Sequence, residues 1–597
     1  MAVLGLDSGA LAIAFARWIA MGGMLSLFGA LVFRAAVTRV AGRGIVWASL
    51  VAALAGLGLW LGFEASDLGG PPDVVVRATL FGRVLALQAL GLGLAGLLAV
   101  PKSRLAAWLA VVCAGLAVAL EVGHLHAWSM QPGPSLLLAT EAVHLLAAGA
   151  WLGGLLPLWR LIGRESAAGA GRAARRFGRL ATLSVALLVA TAFWQAWVLS
   201  GGLGGLFGTA YGWMELAKLV LFLALLLCAA LNRWRFLPRL DGEAGAPNSQ
   251  ANRGPAGARR ALRVSIGVET LLGGLIVLTA AALTGLPAGM HLEPVWPFAV
   301  RPSLAIVAED PLLREEMANA VLALIGALLL VALGIVVGWI RWLAIAVAAA
   351  IAWFAIPHFD LLFIPAYPTS FYRSPTHFSA QAIADGAALY PRSCAGCHGA
   401  SGRGDGPEAK ALAVLPADLT LPHLFEHSDG ELFWRLSQGF PGPRGGVAMP
   451  GFGSVLSDAQ LWDLIDYLRA RNGGLERRDG EEARPLPAPD FDVSCAGRTQ
   501  SLASLRGTPL AIGFGADVTV MTADGRICTT AAAEVTEAYA IATGQTEQAL
   551  GGGTVIVDAN GWLRDALGPG QTSEVSAALG AAAHLALAPD GEPVHHH

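Results

Sequence analysis

The sequence predicts a mainly α-helical fold, in which a polytopic membrane helix bundle of about ten spans precedes a soluble C-terminal portion. The 597 residues are 55% hydrophobic and only 14% charged. Their mean hydropathy of +0.58 is too high for a soluble protein of this length. The apolar residues are concentrated in 1–360, whereas 375–597 has the dispersed charge, proline and glycine of a soluble protein. The two portions therefore belong to different structural classes.

Ten apolar runs are about 20 residues long, which suffices to cross the hydrocarbon layer as a helix. They lie at 11–33, 44–66, 78–100, 105–126, 135–158, 180–200, 213–231, 264–286, 319–340 and 342–360. Every loop from an odd-numbered run to the next even-numbered run carries arginine or lysine. Basic loops remain on the cytoplasmic side. The sequence thus predicts a multi-pass protein in the lipid bilayer of a bacterial inner (plasma) membrane, with both termini on the periplasmic side.

Net charge, the first apolar run and the cysteine content argue against three classes of protein or segment: nucleic-acid binders, cleaved signal peptides and disulfide-rich folds. A net charge of −3 argues against a nucleic-acid partner. The first run begins close to the N-terminus and is too long for a cleaved signal peptide, so we expect a retained helix. Six cysteines are few for a disulfide framework. Two of them, Cys495 and Cys528, are expected to form one structural disulfide, because an extracytoplasmic location permits it.

The run Cys394-Ala-Gly-Cys397-His398 is the most specific motif of the chain. In such a run, two thioethers anchor a porphyrin and the histidine ligates its iron. This attachment takes place outside the cytoplasm, in agreement with the side that the loop charges give to this portion. The alternative is a zinc site, but no second Cys/His pair of suitable spacing supports it. We therefore expect one covalently bound haem c.

Several ionisable residues lie inside the predicted membrane portion. Burying such a side chain in a bilayer costs free energy, so ionisable residues at this depth usually belong to transport pathways or ligand sites. Span four ends with Glu121 and His124, and span five opens with Glu141 and His144. In each span the two residues are three apart and therefore share a helix face. A short loop joins the spans as antiparallel neighbours. We therefore expect all four side chains to lie at one level near the outer surface.

His126 and Met130 lie nearer the outer loop and would form an entrance to this cluster. One interpretation is a copper site, because imidazole and thioether ligands suit copper. A second is a b-type haem held by one histidine from each helix. A third is a di-metal carboxylate site of the ferritin-like kind, which would need two further glutamates. A polar network that joins two helices without any metal is the remaining alternative.

Several different short motifs follow one another along residues 10–290. They are His144-Leu-Leu-Ala-Ala-Gly-Ala-Trp-Leu-Gly-Gly, Arg176-Phe-Gly-Arg-Leu-Ala-Thr, Tyr211-Gly-Trp-Met-Glu-Leu-Ala-Lys, Asn232-Arg233, Glu269 and Leu283-Thr-Gly-Leu-Pro. In these motifs the membrane portion resembles the CopD family of bacterial copper-resistance membrane proteins. The resemblance implies copper handling, with movement of copper ions across the inner membrane.

The haem motif stands between two predicted helices, 378–390 and 457–471, and is followed by the loop 402–407. This layout resembles the class I c-type cytochromes, which are all-α. The resemblance implies that Gly386 and Tyr390 of the first helix pack near Tyr467 and Leu468 of the last helix.

The second axial ligand of the haem iron is expected to be Met449. It is the single methionine between 375 and 480, and it precedes the last helix, where this class places its ligand. A thioether raises the reduction potential relative to a second histidine. His423 and His427 are the competing candidates.

Residues 488–580 contain the segments Pro489-Asp-Phe-Asp-Val, Ser501-Leu-Ala-Ser-Leu-Arg-Gly and Thr554-Val-Ile-Val-Asp. They resemble the small α/β thioredoxin-like domains of thiol peroxidases and copper chaperones. The redox Cys-x-x-Cys motif is missing, so disulfide exchange by that motif is not supported. We expect a degenerate docking or packing module.

These observations predict five consecutive parts. They are a CopD-like domain of eight spans at 1–290, an outer loop with two further spans at 291–360, a proline-rich tether at 361–377, a cytochrome c domain at 378–475 and a degenerate thioredoxin-like domain at 486–590. The expected function is copper transport or resistance coupled to periplasmic haem c electron transfer, an electron carrier or transporter rather than a substrate-converting enzyme. Its expected partners are periplasmic redox proteins or copper chaperones. The alternative is a membrane electron-transfer protein, from quinol or haem b to haem c, without copper transport.

Overall fold

The protein divides into two compact units, an N-terminal unit Met1–Glu293 and a C-terminal unit Pro294–His597. The structure is a computed structural model. It describes residues 8–38, 42–124, 134–241, 255–304, 307, 311–355, 362–442, 446–479, 486–522, 525–531 and 533–585. The division falls three residues after the boundary predicted at 290.

The described residues of the N-terminal unit form helices joined by turns and loops, with no strand among them. Its helices are α1 (Ser8–Ala36), α2 (Arg43–Asp67), α3 (Pro72–Ala78), α4 (Leu80–Leu98), α5 (Arg104–Ala119), α6 (Pro134–Arg164), α7 (Ala167–Ser200), α8 (Gly202–Gly208), α9 (Ala210–Leu231), α10 (Leu237–Asp241) and α11 (Pro255–Leu283). A 3₁₀ turn, Leu120–His124, continues α5, and a π-helical turn, Asn232–Phe236, joins α9 to α10.

Among the described residues, nine helices are long and apolar enough to cross a membrane, which confirms a mainly α, polytopic fold. They are Gly9–Ala36, Arg43–Asp67, Leu80–Leu98, Arg104–His124, Ser135–Arg164, Ala168–Ser200, Ala210–Arg239, Gly257–Leu283 and Pro311–Gly334. The tenth predicted span corresponds to a shorter apolar helix, Arg341–Ala355. Residues 356–360 of that predicted span lie outside the described residues.

Two helices begin earlier than the hydrophobic pattern predicts. α7 starts at Ala167 rather than 180, where the Ser166 side chain caps it by accepting a hydrogen bond from the Gly169 amide. α11 starts at Pro255 rather than 264. The hydrophobic pattern detects only the membrane-embedded part of a helix. Alanine and arginine favour helix formation and extend each helix beyond that part. The loop 240–258, whose glycine, proline and polar residues predict a flexible linker, lies largely outside the described residues.

α1 is the central helix of the N-terminal unit, packing against α2, α5, α6 and α11. The backbones of α1 and α6 meet where Gly29 lies beside Gly153. A Cβ atom at Gly153 would lie 2.0 Å from the Leu25 carbonyl oxygen, so the contact admits no side chain. Small residues allow such close approach of membrane helices, whose packing depends on van der Waals contact.

The C-terminal unit contains helices and short strands. The helices are α12 (Pro311–Val337), α13 (Arg341–Ala355), α14 (Ala380–Ser393), α15 (Ala395–His398), α16 (Asp429–Gln438), α17 (Asp458–Arg478), α18 (Ala533–Thr543), α19 (Glu547–Leu550) and α20 (Thr572–Leu585). The strands are β1 (Val300–Pro302), β2 (Phe363–Pro365), β3 (Phe440–Pro441), β4 (Val447–Met449), β5 (Asp492–Cys495), β6 (Arg498–Ser501), β7 (Leu510–Phe514), β8 (Val518–Thr522), β9 (Ile527–Thr530), β10 (Thr554–Val557) and β11 (Leu563–Leu567).

In the described part of residues 486–585, seven strands form one sheet in the order β11-β10-β7-β8-β9-β5-β6, and every strand pair is antiparallel. A βαβ unit requires parallel neighbours. The thioredoxin-like arrangement is therefore not confirmed. The predicted disulfide is confirmed: Cys495 of β5 and Cys528 of β9 lie opposite each other in register and are bonded.

The stretch predicted as a proline-rich tether is held by backbone hydrogen bonds over part of its length. β2 pairs with β1, with Ile364 opposite Arg301. The Trp296 amide donates to the Pro368 carbonyl at 2.8 Å. Proline is compatible with such short, exposed edge strands. This stretch is thus packed against the loop that precedes α12.

The helices around the haem motif share a hydrophobic core with the sheet. Ile383 of α14 and Ala470 of α17 are fully buried in the same cluster as Ile512 and Val520. A cluster of this kind identifies a single contiguous core. The cytochrome-like helices and the sheet of this unit are therefore packed as one body.

Candidate functional site

The haem motif lies where α14 ends and α15 begins. Cys394 is buried and directly precedes α15, and His398 is the last residue of α15. The backbone carbonyl of Cys394 accepts the amide hydrogen of His398 at 2.9 Å. A single turn of helix thus brings the two cysteines and the histidine onto one short segment, as covalent attachment of a porphyrin requires.

One hydrogen bond fixes the imidazole of His398. Its Nδ1–H donates to the Ala417 carbonyl at 2.9 Å. A carbonyl oxygen can only accept, so the proton of the neutral ring is assigned to Nδ1 and the lone pair to Nε2. This is the arrangement found in metal-ligating histidines. The residues therefore fit a haem iron bound at Nε2.

Met449 packs against the apolar cluster that contains Cys394. It ends β4 and lies opposite Phe440 in the β3–β4 pair. The competing candidate His427 is engaged elsewhere, since its Nδ1 lies 3.1 Å from a Glu431 carboxylate oxygen. These contacts support Met449 as the second axial ligand, which stays a prediction.

The predicted packing around the haem motif is confirmed. A Cβ atom at Gly386 would lie 2.7 Å from the Tyr467 Cβ, so the helices α14 and α17 are in direct contact there. The rings of Tyr390 and Tyr467 are 5.4 Å apart, and the Tyr390 hydroxyl donates to the Gly399 carbonyl. This crossing positions the start of the haem-binding segment.

A second group of polar side chains lies inside the N-terminal unit. Arg17 of α1 forms an ion pair with Glu121 at 3.1 Å, and both side chains are buried. Gln88 of α4, which is fully buried, donates from Nε2 to the other Glu121 oxygen at 3.0 Å and to the Ala117 carbonyl. His124 lies 3.2 Å from Gln88 Oε1. The network thus joins three helices around Glu121.

The hydrogen bonds of Gln88 also fix the tautomer of His124. Because Gln88 Nε2 donates twice, its Oε1 is an acceptor, and His124 donates to it from Nε2–H. His124 Nδ1 then carries a lone pair. This atom is buried and has no hydrogen-bond partner among the described residues. The ring packs beside both Trp60 and Phe81, at centroid distances of 4.6 and 5.2 Å, and those two rings are also in contact with each other.

The structure places His144 beside a different helix. Its Nδ1 lies 2.9 Å from the Thr191 hydroxyl of α7, which itself donates to the Leu187 carbonyl. The hydroxyl therefore accepts from Nδ1–H, and the lone pair of His144 is on Nε2. Glu141 interacts electrostatically with Lys218 and with Glu121. Hydrogen bonds among the described residues thus link Glu121 to His124, while His144 bonds to α7.

His126 and Met130 of the predicted entrance lie outside the described residues. Within the described ranges, no group of three or more His, Cys, Asp or Glu side chains could hold a metal ion. The copper, haem b and di-metal interpretations of this cluster stay predictions. A polar network is present among the described residues, but its hydrogen bonds and ion pair link α1 and α4 to the turn after α5, whereas His144 of the fifth predicted span bonds to α7.

Two family models match the chain. Residues 171–283 match the model described as copper resistance protein D. Residues 381–468 match the model described as cytochrome C oxidase, cbb3-type, subunit III. No match was found among curated proteins or solved structures. These similarities, with the apolar helices, support a copper-related, multi-pass membrane protein that carries a haem c domain.

The matched copper-resistance segment contains a contact between two residues that the sequence motifs named only separately. Glu269 of α11 is almost fully buried and accepts a hydrogen bond from the Asn232 amide of the π-helical turn. Asn232 and Glu269 are 37 residues apart, so only the tertiary structure brings them together. Lys218 and Glu215 of α9 form an ion pair at 2.7 Å.

Sequence reasoning missed the residues that complete the buried network. Arg17 carries a signal that could have found it, because it is the one charged side chain within the first apolar run, 11–33. Gln88 gives a weaker signal, as the one amide side chain of its predicted span, 78–100, which also contains Arg83. Trp60 and Thr191 carry none, since tryptophan and threonine are ordinary in membrane helices.

Proposed function

We propose that this chain is an inner-membrane copper-handling protein that moves copper ions and is coupled to a periplasmic haem c electron-transfer domain. The observation that carries the copper half is the buried Nδ1 lone pair of His124, which has no hydrogen-bond partner among the described residues. A buried acceptor without a donor is costly unless a ligand occupies it. Imidazole nitrogen suits copper, and the sequence supplies His126 and Met130 nearby.

In the haem domain the chain's residues have distinct roles. Cys394 and Cys397 would anchor the porphyrin, His398 would bind the iron through Nε2, and Met449 would complete the coordination. When bound, the haem supplies reversible one-electron exchange. Such exchange would set the oxidation state of copper. Alternatively, the haem would pass electrons to a soluble redox protein or copper chaperone.

Two features support a periplasmic position for this domain. Basic residues flank the helices at every predicted odd-to-even connection, which is typical of the cytoplasmic side. The Cys495–Cys528 disulfide is the kind of bond that persists in oxidising compartments. Both support a position outside the cytoplasm for the soluble part of the C-terminal unit.

Copper uptake by proteoliposomes containing the purified full chain tests the copper half. We expect His124→Gln to reduce Cu(I) uptake at least tenfold, because it removes the lone-pair nitrogen. His291→Gln is the matched control, since His291 is an exposed histidine of the same unit. Equal uptake by the His124 variant, the control and the unsubstituted protein would refute copper movement through this site.

The second candidate function is electron transfer from quinol or haem b to haem c without copper transport. Its support is that His124 and His144 each present a lone-pair nitrogen from a different helix, the pattern of two axial ligands. A reduced-minus-oxidised spectrum distinguishes the candidates. A b-type band that disappears in His144→Gln favours this function, whereas a c-type band alone excludes a haem b.

A further inference from the structure

A cavity of about 470 Å³ lies among α6, α7, α9, the π-helical turn and α11. Most of its wall is apolar, with Leu155, Phe177, Leu226 and Ile266 among the lining side chains. This size and composition are those of ligand pockets in general. The cavity lies in the matched copper-resistance segment but is separate from the Arg17–Glu121 network, with which it shares no lining residue.

One wall of the cavity has a hydrogen-bonding group that is incompletely satisfied. Asn232 donates its amide hydrogen to the buried Glu269, and both residues line the cavity. The Oδ1 atom of Asn232 is buried and has no hydrogen-bond partner among the described residues. Buried acceptors in proteins are nearly always paired. The cavity therefore suits a ligand that brings a hydroxyl donor to this amide.

Three arginines also line the cavity, and all three are exposed. They are Arg175, Arg179 and Arg233. Arg233 is held in place because its Nη1 donates to the Thr182 hydroxyl at 2.9 Å. Glu269 is the one acidic lining residue, and its carboxylate already receives the Asn232 hydrogen bond. The charge of the rim is thus complementary to an anion, and guanidinium groups pair well with phosphate.

The π-helical turn explains how these groups come together. It spans Asn232–Phe236, so Asn232 and Arg233 lie at the point where the helix widens. Single π-helical turns are frequent at functional sites because they redirect side chains. Here the turn places a hydrogen-bond acceptor and a cation on the same cavity.

We propose that this cavity binds an anionic phospholipid of the phosphatidylglycerol class. The phosphate pairs with the arginines, the head-group hydroxyls donate to Asn232 Oδ1, and an acyl chain fills the apolar part. Basic pockets between membrane helices on the cytoplasmic side bind anionic head groups in this manner. The apolar walls favour a lipid over free phosphate, which shares the same anionic group.

Ligand-induced thermal stabilisation of the purified full chain in zwitterionic detergent tests the proposal. Phosphatidylglycerol should raise the unfolding temperature at lower concentration than phosphatidylcholine, phosphatidic acid or inorganic phosphate. Arg179→Gln/Arg233→Gln should weaken the phosphatidylglycerol effect roughly tenfold or more, because two cations near the head group are lost.

Arg172→Gln/Arg235→Gln is the matched control, since these arginines lie on the same two elements and are exposed but do not line the cavity. It should keep the response of the unsubstituted protein. Thr182→Val keeps the charge and removes only the hydrogen bond that holds Arg233, so it should weaken the phosphatidylglycerol effect less than the double arginine substitution does. Equal loss in both arginine pairs, or equal stabilisation by phosphatidylcholine, would overturn the proposal. Saturation by inorganic phosphate alone would identify a free-anion site and also overturn it.

Discussion

A single hydrogen bond, from His398 Nδ1–H to the Ala417 carbonyl, determines which imidazole nitrogen can bind a haem iron. The same reasoning applies in the membrane, where Gln88 assigns the lone pair of His124 to Nδ1 and Thr191 assigns that of His144 to Nε2. In each case a partner distant in sequence selects the tautomer. The residue type was evident from the motif, but its ligating atom was not.

Met449 should control the reduction potential of the haem. In Met449→Ala the haem remains covalently attached through the cysteines, and the midpoint potential falls because the thioether ligand is lost. Redox titration of the haem absorbance measures this shift. Met521→Ala is the control, since Met521 lies on β8 of the sheet. An unchanged potential in Met449→Ala would indicate a different axial ligand, with His423 as the first candidate.

Asp466 should make the stability of the C-terminal unit depend on pH. It is buried on α17 and accepts a hydrogen bond from the Thr376 hydroxyl. Burial raises the pKa of the Asp466 carboxyl to about 8, whereas an unfolded aspartate titrates near 4. The folded state therefore holds the proton more tightly. The resulting stability is fully present below about pH 4 and is lost as the pH rises towards about 8.

Asp466→Asn removes this dependence, because the amide can still accept the Thr376 hydrogen but does not titrate. We expect the unsubstituted unit to lose up to about 1.4 kcal/mol per pH unit in this window, and the variant to lose less. Thermal unfolding followed between pH 5 and pH 8 measures the difference. Parallel pH profiles of the two proteins would show that Asp466 is ionised throughout.

At the scale of elements, close helix crossings were predicted best where a motif marked them. The contact of Gly386 with α17 followed from the cytochrome-like layout, and the structure confirms it. The early starts of α7 and α11 were not predicted, because hydropathy reports the membrane-embedded length and not the helix. The π-helical turn at Asn232 has no hydrophobic signature at all.

Gly386→Ala should destabilise the crossing of α14 and α17. An added Cβ would lie 2.1 Å from the Asp463 carbonyl oxygen, so the helices must separate. We expect a loss of about 1–3 kcal/mol, the usual cost of overpacking. Gly580→Ala in α20 is the control, because its Cβ would meet no atom within 4 Å. Unfolding temperatures of the two variants, and their haem content, measure the effect.

At the scale of the whole molecule, the side of the haem domain depends on whether the last apolar helix crosses the membrane. The described helix Arg341–Ala355 has 15 residues and is about 22 Å long, less than the hydrocarbon thickness of about 30 Å. Haem attachment outside the cytoplasm requires an even number of spans if the N-terminus is also outside. We therefore expect this segment to complete the crossing with the residues that follow it.

Epitope tags test this topology. A tag at the C-terminus should be accessible to protease in intact spheroplasts, whereas a tag inserted in 242–254 should become accessible only after permeabilisation. The second tag is the internal control for membrane integrity. Protection of the C-terminal tag in intact spheroplasts would place the haem domain on the cytoplasmic side and contradict the expected periplasmic position.

The sequence by itself determined the membrane class, the order of the membrane and cytochrome portions, the haem-binding segment and the Cys495–Cys528 pair. Each of these follows from local pattern: apolar length, loop charge, a five-residue motif or cysteine count. The tertiary structure decided that Glu121 pairs with Arg17, that His144 faces α7, and that Asn232 meets Glu269. These contacts join helices far apart in the chain. A hydrophobic pattern states that a helix is buried in lipid or protein, but not which neighbour each polar side chain meets.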